Sequence, residues 1–300
     1  MRSAILSCAA LASLVLGVPA AAQPSHGTPP GLLKKQGSQA TVVSETDGPT
    51  PANGNGRVRS FGVWLDDATA MAPSESWLTV SLQRWGSPGG DGLDAPVLDI
   101  VSGITSRIHA FATVPLSRIA VAGVPPDTEL GTTYLGGKVV LREPAEGALG
   151  LAANPAVEIL SQSATIDTGL SRVNLVLPLS VEWRSGRTRT YGSTGYFTRG
   201  AFFVSGALER QLSDRAVVTG ALSQAWATDD MALADAGALR SSRTDLTGSL
   251  VWIASPQLML FTSMARTLSP LDADAIRYSF SVGASMNLYR PGRRLPVKKP

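Results

Sequence analysis

The chain has 300 residues, a formal net charge of +3, one cysteine and two histidines. Six of the 26 basic residues lie near the ends, as Arg2 and within 290–300, so the rest of the chain has fewer bases than its 23 acids. Nucleic-acid binding needs a basic surface on the folded body, and we therefore expect no nucleic-acid partner. The single cysteine, Cys8, excludes an intrachain disulfide.

Residues 1–22 have the features of a secretory signal peptide. Arg2 is followed by an apolar stretch over 4–18, and the small residues Ala20 and Ala22 suit a cleavage site. Pro19 ends the apolar stretch short of the roughly 20 residues that a spanning helix needs. We therefore predict export and a mature chain that begins at Gln23.

The next two segments precede the body of the protein. Residues 23–56 are rich in Pro, Gly, Ser and Thr and contain no aromatic residue, which is typical of a flexible lead-in, here in the periplasm. Residues 57–75 are more strand-like, with Phe61, Val63 and Leu65 on one face. We interpret 57–75 as an N-terminal segment that plugs a barrel or lies beneath it, with an extra strand as the alternative.

Apolar and polar residues alternate in successive segments between residues 76 and 289. A period of two predicts strands with one apolar and one polar face. The predicted strands are 76–85, 94–102, 107–116, 132–142, 148–160, 171–183, 187–197, 201–211, 216–226, 243–253, 257–267 and 276–289. Strands of about ten residues cross a bilayer when tilted. The predicted fold class is all-β, a transmembrane antiparallel up-and-down β-barrel of about twelve strands, with residues 290–300 as a basic tail.

Connections and aromatic residues favour the same fold. Long and short links alternate along most of the chain, and outer-membrane barrels place their short turns and both termini in the periplasm. We expect aromatic belts of Trp85, Tyr196, Phe197, Phe202, Trp226 and Tyr278 at one edge and of Trp77, Trp183, Trp252 and Tyr289 at the other. Core aromatics of an exported, soluble β-sandwich are the alternative. Pro155 and Pro178 lie inside predicted strands, where we expect bulges.

The polar faces of the predicted strands would line the lumen. The lumen-facing candidates are His109, Lys138, Arg142, Asn154, Glu158, Arg172, Asn174, Glu182, Arg277 and Asn287, and Glu209 lies on the same polar face. Inward-facing mixed charges suit a water-filled pore or a filled barrel whose interior is structural. Both interpretations stay open at this point.

Catalytic and metal-binding patterns are weak. His109 is the single histidine within the predicted fold, so a membrane hydrolase would have to pair it with a serine that no local motif marks. The aspartates at 229–230 and at 272 and 274 lack the glycine and glutamate of a calcium loop, and no glycine-rich stretch precedes a P-loop lysine. We predict no catalytic, cofactor-binding or metal-binding residues and expect that the protein is not an enzyme.

Two resemblances point to outer-membrane proteins. Ser281, Gly283, Met286 and Leu288 resemble the polar-x-Gly-x-x-apolar-x-apolar signal of a last strand, which implies the barrel-assembly machinery as a partner. The stretches 94–100, 103–107, 114–115 and 136–138 resemble the strand and turn rhythm of the phenol-degradation-pathway outer-membrane family. That resemblance implies a barrel channel for small, often hydrophobic, solutes.

These patterns together predict a passive channel or transporter for small solutes, placed in outer-membrane lipid after export. A structural or adhesive outer-membrane barrel without a pore is the first alternative. A barrel-embedded lipid hydrolase that uses His109 is the second.

Overall fold

The computed structural model describes residues 64–87, 90–120, 125–165, 171–227, 242–269 and 275–289. The predicted signal peptide, the lead-in 23–56, residues 57–63 and the basic tail 290–300 therefore lie outside the described residues. Within the described ranges, no helix is long and apolar enough to cross a membrane.

Fourteen β segments follow one another along the described part of the chain. They are β1 (Ser76–Ser87), β2 (Gly90–Gly103), β3 (Ile108–Ala120), β4 (Asp127–Leu130), β5 (Thr133–Arg142), β6 (Gly150–Ala153), β7 (Ala156–Ile159), β8 (Val173–Ser185), β9 (Thr188–Phe197), β10 (Ala201–Ser213), β11 (Ala216–Ala227), β12 (Ser242–Ser255), β13 (Leu258–Ser269) and β14 (Tyr278–Tyr289). Most bounds agree with the predicted strands to within a few residues.

The fourteen segments form a closed antiparallel barrel of twelve strands, as predicted. β4 and β5 are two parts of one strand because both pair with β3, and β6 and β7 are two parts of another, which lies between β5 and β8. Antiparallel pairing of β1 with β14 closes the barrel. We call the end where β1 begins and β14 finishes the lower end, and the opposite end the upper end.

The barrel wall is apolar outside and mostly polar inside. On β8, Leu175, Leu177 and Leu179 are 51%, 57% and 51% exposed, whereas the alternate residues Val176 and Ser180 are fully buried. Large apolar side chains are likewise exposed on the other strands of the barrel except the one formed by β6 and β7, where the outward Leu151 and Val157 are half-buried. A soluble β-sandwich would bury its apolar face, so the sandwich alternative is wrong and the exposed apolar face suits lipid.

Two aromatic belts lie on the outer face, but with fewer members than predicted. Tyr196, Phe202 and Tyr278 are exposed near the upper end, where the half-buried Trp226 stacks on Phe202 with ring centres 5.7 Å apart, and Trp183 and Trp252 are exposed near the lower end. Trp77 and Phe197 were expected in these belts, yet both are fully buried and turned inward. Trp85 also points inward, half-buried over Gly92. Strand parity decides this, because each of these three rings shares a face with inward residues such as Thr79, Gln83 and Ser193.

The link between β1 and β2 is shorter than predicted. β1 continues to Ser87 and β2 begins at Gly90, so the predicted long link at 86–93 is mostly strand.

No bulge occurs at Pro178. β8 pairs with β6 and β7 in a single register, with Leu179 opposite Ala153 and Val176 opposite Ala156. The break between β6 and β7 contains Pro155 and lies beside Pro178, so one interruption of the ladder accommodates both missing donors.

Candidate functional site: the lumen and its charged cluster

Residues 64–75, which we call the inner segment, run along the inside of the barrel. At the upper end, the Trp64 ring lies 4.7 Å from the ring of Phe197 and 5.2 Å from that of Phe203. At the lower end, the Ser74 amide donates to the Gly103 carbonyl oxygen at 2.9 Å, where β2 finishes. The inner segment therefore extends through the barrel from the upper half to the lower end.

Two acidic residues attach the middle of the inner segment to the wall. Lys138 Nζ lies 2.8 Å from carboxylate oxygens of both Asp66 and Asp67, and Arg189 Nη2 lies 2.6 Å from Asp67 Oδ2. Lys138 and Asp67 are 0% and 4% exposed. Burial alone would raise the pKa of Asp67, but the charges of Lys138 and Arg189 outweigh burial and hold the pKa well below its usual range.

Glu182 forms a second attachment and is fully buried. Its carboxylate accepts hydrogen bonds from the Ala68 amide at 3.0 Å and the Thr69 hydroxyl at 2.9 Å, both on the inner segment. Arg184 Nε and Arg189 Nε donate to the same carboxylate at 2.6 and 2.9 Å. Charge-assisted bonds of this kind compensate for removing a carboxylate from water.

Glu209 completes what we call the charged cluster, which consists of Asp66, Asp67, Lys138, Glu182, Arg184, Arg189 and Glu209. Arg189 Nη1 lies 3.0 Å from Glu209 Oε1, whereas Glu209 Oε2 is buried and accepts no hydrogen bond. The cluster therefore has four acids and three bases, and it connects β5, β8, β9 and β10 through the inner segment.

A smaller polar group lies near the upper end. Glu158 is buried, accepts a hydrogen bond from the Tyr134 hydroxyl at 3.0 Å and pairs with Arg199 Nε at 2.9 Å. The Arg199 guanidinium also lies 4.8 Å from the centre of the Phe197 ring, a cation–π distance. This contact joins the Glu158 group to the aromatic rings around Trp64.

The remaining part of the inner wall is lined with hydroxyl groups. We call it the hydroxyl wall; its members are Thr79, Thr219, Ser249, Ser263, Thr267, Ser281 and Ser285, on β1 and β11–β14. Thr79 and Ser285 are hydrogen-bonded at 2.9 Å, and Ser263 and Ser281 at 2.6 Å. Among the described residues, the inner faces of β1, β11, β13 and β14 include no ionisable side chain, and β12 contributes a paired Arg243 and Asp245.

The predicted lumen residues fall into two groups. His109, Lys138, Asn154, Glu158, Asn174 and Glu182 are buried and turned inward, whereas Asn287 is half-buried and Arg142, Arg172 and Arg277 are exposed at or beside strand ends. The structure brings Lys138 and Glu182 into the charged cluster and places the other candidates outside it.

Sequence reasoning missed four members of the charged cluster. Arg184 and Arg189 share the inward parity of their strands and were accessible to the same argument. Asp66 and Asp67 lie in a segment without a resolved period, so no pattern in the sequence paired them with the wall.

The surroundings of His109 bear on the hydrolase alternative. The Met71 amide donates to His109 Nδ1 at 3.2 Å, so this nitrogen is already occupied by the inner segment. Within the described part of the chain, no group of three His, Cys, Asp or Glu side chains is placed to hold a metal ion.

The predicted assembly-signal residues lie on β14, the strand that closes the barrel. Ser281 is buried, Gly283 is half-buried, and Met286 and Leu288 are exposed on the outer face. A Cβ atom at Gly283 would lie 2.6 Å from both the Phe261 ring and Ser81 Cβ, so packing alone requires glycine there. The role of these residues in assembly stays a prediction.

No protein-family model and no curated protein matches the chain. Solved structures do match. The COG4313 outer membrane channel from Pseudomonas putida F1 is similar with a TM-score of 0.57 and 11% identity, covering 74% of this chain and 98% of that one. The NanC porin has a TM-score of 0.52 and 8% identity, with 70% and 100% covered. The KdgM porin has a TM-score of 0.50 and 9% identity, with 70% and 99% covered. At these identities the similarity shows the fold, which is that of bacterial outer-membrane barrels.

Proposed function

We propose that the protein resides in the outer membrane and acts there as a passive channel for small solutes. The observation that carries the proposal is a closed wall with an apolar outer face and an inner face of hydroxyl and charged groups. An apolar exterior suits lipid, and a polar interior suits the passage of water and solutes. Similar barrels are named a channel and porins.

The two sides of the lumen have different parts in this proposal. The charged cluster fixes the inner segment against β5, β8, β9 and β10, which narrows that side. The hydroxyl wall opposite offers hydrogen bonds without fixed charge. Solutes would therefore pass along the hydroxyl wall, and we expect a small single-channel conductance with weak selectivity between cations and anions.

Planar-bilayer recording of the refolded mature chain tests this proposal. We expect discrete openings in WT protein and a larger conductance in a variant without residues 23–73, which lacks most of the inner segment. A membrane that stays silent for both proteins, over a range of voltage and salt, would contradict the channel.

A filled barrel without a pore is the second candidate, and a specific observation favours it. Inward side chains on both sides of the lumen, among them Lys138, Glu182, Thr267 and Ser285, are fully buried. Close packing of the inner segment against the wall would make the interior structural. Silent WT protein together with conducting truncated protein would support this candidate, since only the filling would have been removed.

The resemblance to the phenol-degradation-pathway family leads to a narrower hypothesis. No family model matches, so membership and the class of hydrophobic solutes are proposals supported only by the motifs at 94–100, 103–107, 114–115 and 136–138. Uptake of phenol and of a small sugar into liposomes containing the protein measures this preference. Equal uptake of both solutes would exclude a preference for hydrophobic ones.

A further inference from the structure

Three arginines point outward, toward lipid, near the upper end of the barrel. Arg84 on β1, Arg118 on β3 and Arg266 on β13 are all exposed, and each follows or precedes an inward-facing residue on its strand. Each also lies within three residues of the upper end of its strand.

The register places the three arginines on one side of the barrel. Arg84 pairs with Leu93 of β2, and Leu93 pairs with Arg118, so Arg84 and Arg118 share a row with one strand between them. Two strand spacings separate their Cα atoms by about 10 Å. On the other side, Arg84 pairs with Phe280, which pairs with Met264, two residues before Arg266. We call these three residues the arginine row.

None of the three guanidinium groups has a partner within the described protein. No hydrogen bond or ion pair among the described residues involves their side chains, whereas Arg189, Arg199 and Arg243 are ion-paired. Apolar side chains lie beside them: Met264 and Leu268 flank Arg266 and are 66% and 49% exposed, and Leu93 lies between Arg84 and Arg118. The other cross-strand partner of Arg118 is Thr128. A charge among lipid-facing apolar side chains is costly unless it reaches the interface or meets an anion.

The remaining upper rim differs from this side. On the described parts of β5 and β7–β12, the outward residues near the upper end carry no charge. Among the described residues, one acid lies outward near the arginine row: Asp91 pairs with Gly86 and Ala120, and its carboxylate accepts a hydrogen bond from the Tyr278 hydroxyl at 3.3 Å. Arg172 and Arg277 are exposed just before β8 and β14 but have the inward parity of those strands. On the described strands the outward positive charge near the upper end therefore lies on β13, β1 and β3, which indicates a site and not a uniform basic girdle.

We propose that the arginine row binds the phosphate groups of lipopolysaccharide, the phosphorylated glycolipid of the outer leaflet. The proposal rests on the outer-membrane placement proposed above. In that placement the upper end faces the cell exterior, because β1 begins and β14 finishes at the lower end. Guanidinium groups bind phosphate oxygens through paired hydrogen bonds, and their long aliphatic stems lie along apolar surface. The positive charge of the arginine row and its position near the outer membrane surface therefore both favour the phosphates of lipopolysaccharide as the ligand.

The test measures lipid binding to the refolded full mature chain in detergent. Native mass spectrometry compares three added lipids: diphosphorylated lipid A, lipid A from which both phosphates have been removed, and phosphatidylglycerol. The variant carries Arg84→Ala, Arg118→Ala and Arg266→Ala together. The matched control is Arg210→Ala, because Arg210 is also exposed and outward between apolar neighbours but lies near the lower end of β10.

We expect WT protein and the Arg210 variant to bind diphosphorylated lipid A equally. Near a membrane surface each arginine is worth a few-fold in affinity, so the triple variant should bind on the order of a hundredfold more weakly. Equal binding by the triple variant, equal binding of the dephosphorylated lipid, or phosphatidylglycerol binding as strong as that of lipid A would each overturn the proposal.

Folding and conductance are read separately in phospholipid vesicles that contain no lipopolysaccharide. A triple variant that inserts and conducts like WT while losing lipid A supports the lipid site. Failure of WT protein to insert at all would overturn the placement on which the site depends, and with it the site.

Discussion

Replacing Asp67 with alanine removes the residue that joins the inner segment to two buried cations. Its carboxylate lies 2.8 Å from Lys138 Nζ and 2.6 Å from Arg189 Nη2, and it accepts a hydrogen bond from the Thr69 amide at 3.0 Å. Breaking a buried ion pair from one side typically costs 3–5 kcal/mol. Lys138 and Arg189 keep other acidic partners, so we expect about 3 kcal/mol, the lower end of that range.

The expected loss acts on the docking of the inner segment. About 3 kcal/mol corresponds to an increase on the order of a hundredfold in the fraction of undocked molecules. A thiol introduced by Ala70→Cys reports this fraction, because Ala70 is half-buried in the docked segment. The measurement is the rate of maleimide labelling in folded protein, with and without Asp67→Ala.

Two comparisons make the measurement decisive. Asp214 forms an ion pair with Arg187 at 3.5 Å, with the two side chains 74% and 62% exposed. Such an exposed pair contributes little, so Asp214→Ala should leave the labelling rate unchanged. Equal labelling rates in the Asp67→Ala variant and its parent would refute the reasoning that the charged cluster holds the inner segment in place.

Three further predictions concern packing, pH and lipid. A Cβ atom at Gly103 would lie 2.0 Å from a carbonyl oxygen of the inner segment, so Gly103→Ala should lower the temperature at which the barrel unfolds on heat-modifiability gels. The control Gly206→Ala should leave this temperature unchanged, because a Cβ atom there has no contact closer than 4.0 Å. The pKa of Asp67 lies below its usual value, so the stability that Asp67 gives to docking is complete above the unfolded pKa of about 3.9 and is lost only as the pH falls through the lower folded value. Maleimide labelling of the Ala70→Cys protein, normalised to the denatured protein, should therefore be constant from about pH 5 to pH 8. A rise in labelling within that window would contradict the role given to Asp67. Leu177 points outward in the middle of β8, so Leu177→Arg should cost about 2–4 kcal/mol of folding free energy in bilayers. Leu268 lies near the upper end of β13, so Leu268→Arg should cost about 0–1 kcal/mol. Equal costs would mean that the middle of the bilayer does not lie at the height of Leu177.

The wall of the barrel was predictable from sequence because alternation of period two is a local property. Each strand carries its own pattern, and lipid outside and polar groups inside enforce the pattern over ten or more residues. Parity alone also identified Lys138, Glu158 and Glu182 as residues of the inner face, where they are buried.

The errors arose where a side chain's surroundings depend on distant parts of the chain. Trp77 and Phe197 were assigned to the membrane belts because aromatic residues at strand ends usually lie there, but the inner segment brings Trp64 against Phe197 inside the barrel. Asp66 and Asp67 pair with Lys138 across about 70 positions of sequence. No local period encodes such a contact, so the sequence predicted the members of the charged cluster on the strands better than those on the inner segment.

The position of the inner segment directly before β1 constrains how the molecule is assembled. The segment's charged partners lie on β5, β8, β9 and β10, in the middle of the chain, whereas β1 must wait for β14, the last strand, before its second edge is paired. A segment that docks on β5, β8, β9 and β10 before β1 meets β14 is enclosed when the ring closes. On that order of events the interior and the seam form together, and no later threading of the segment into a finished cylinder is needed.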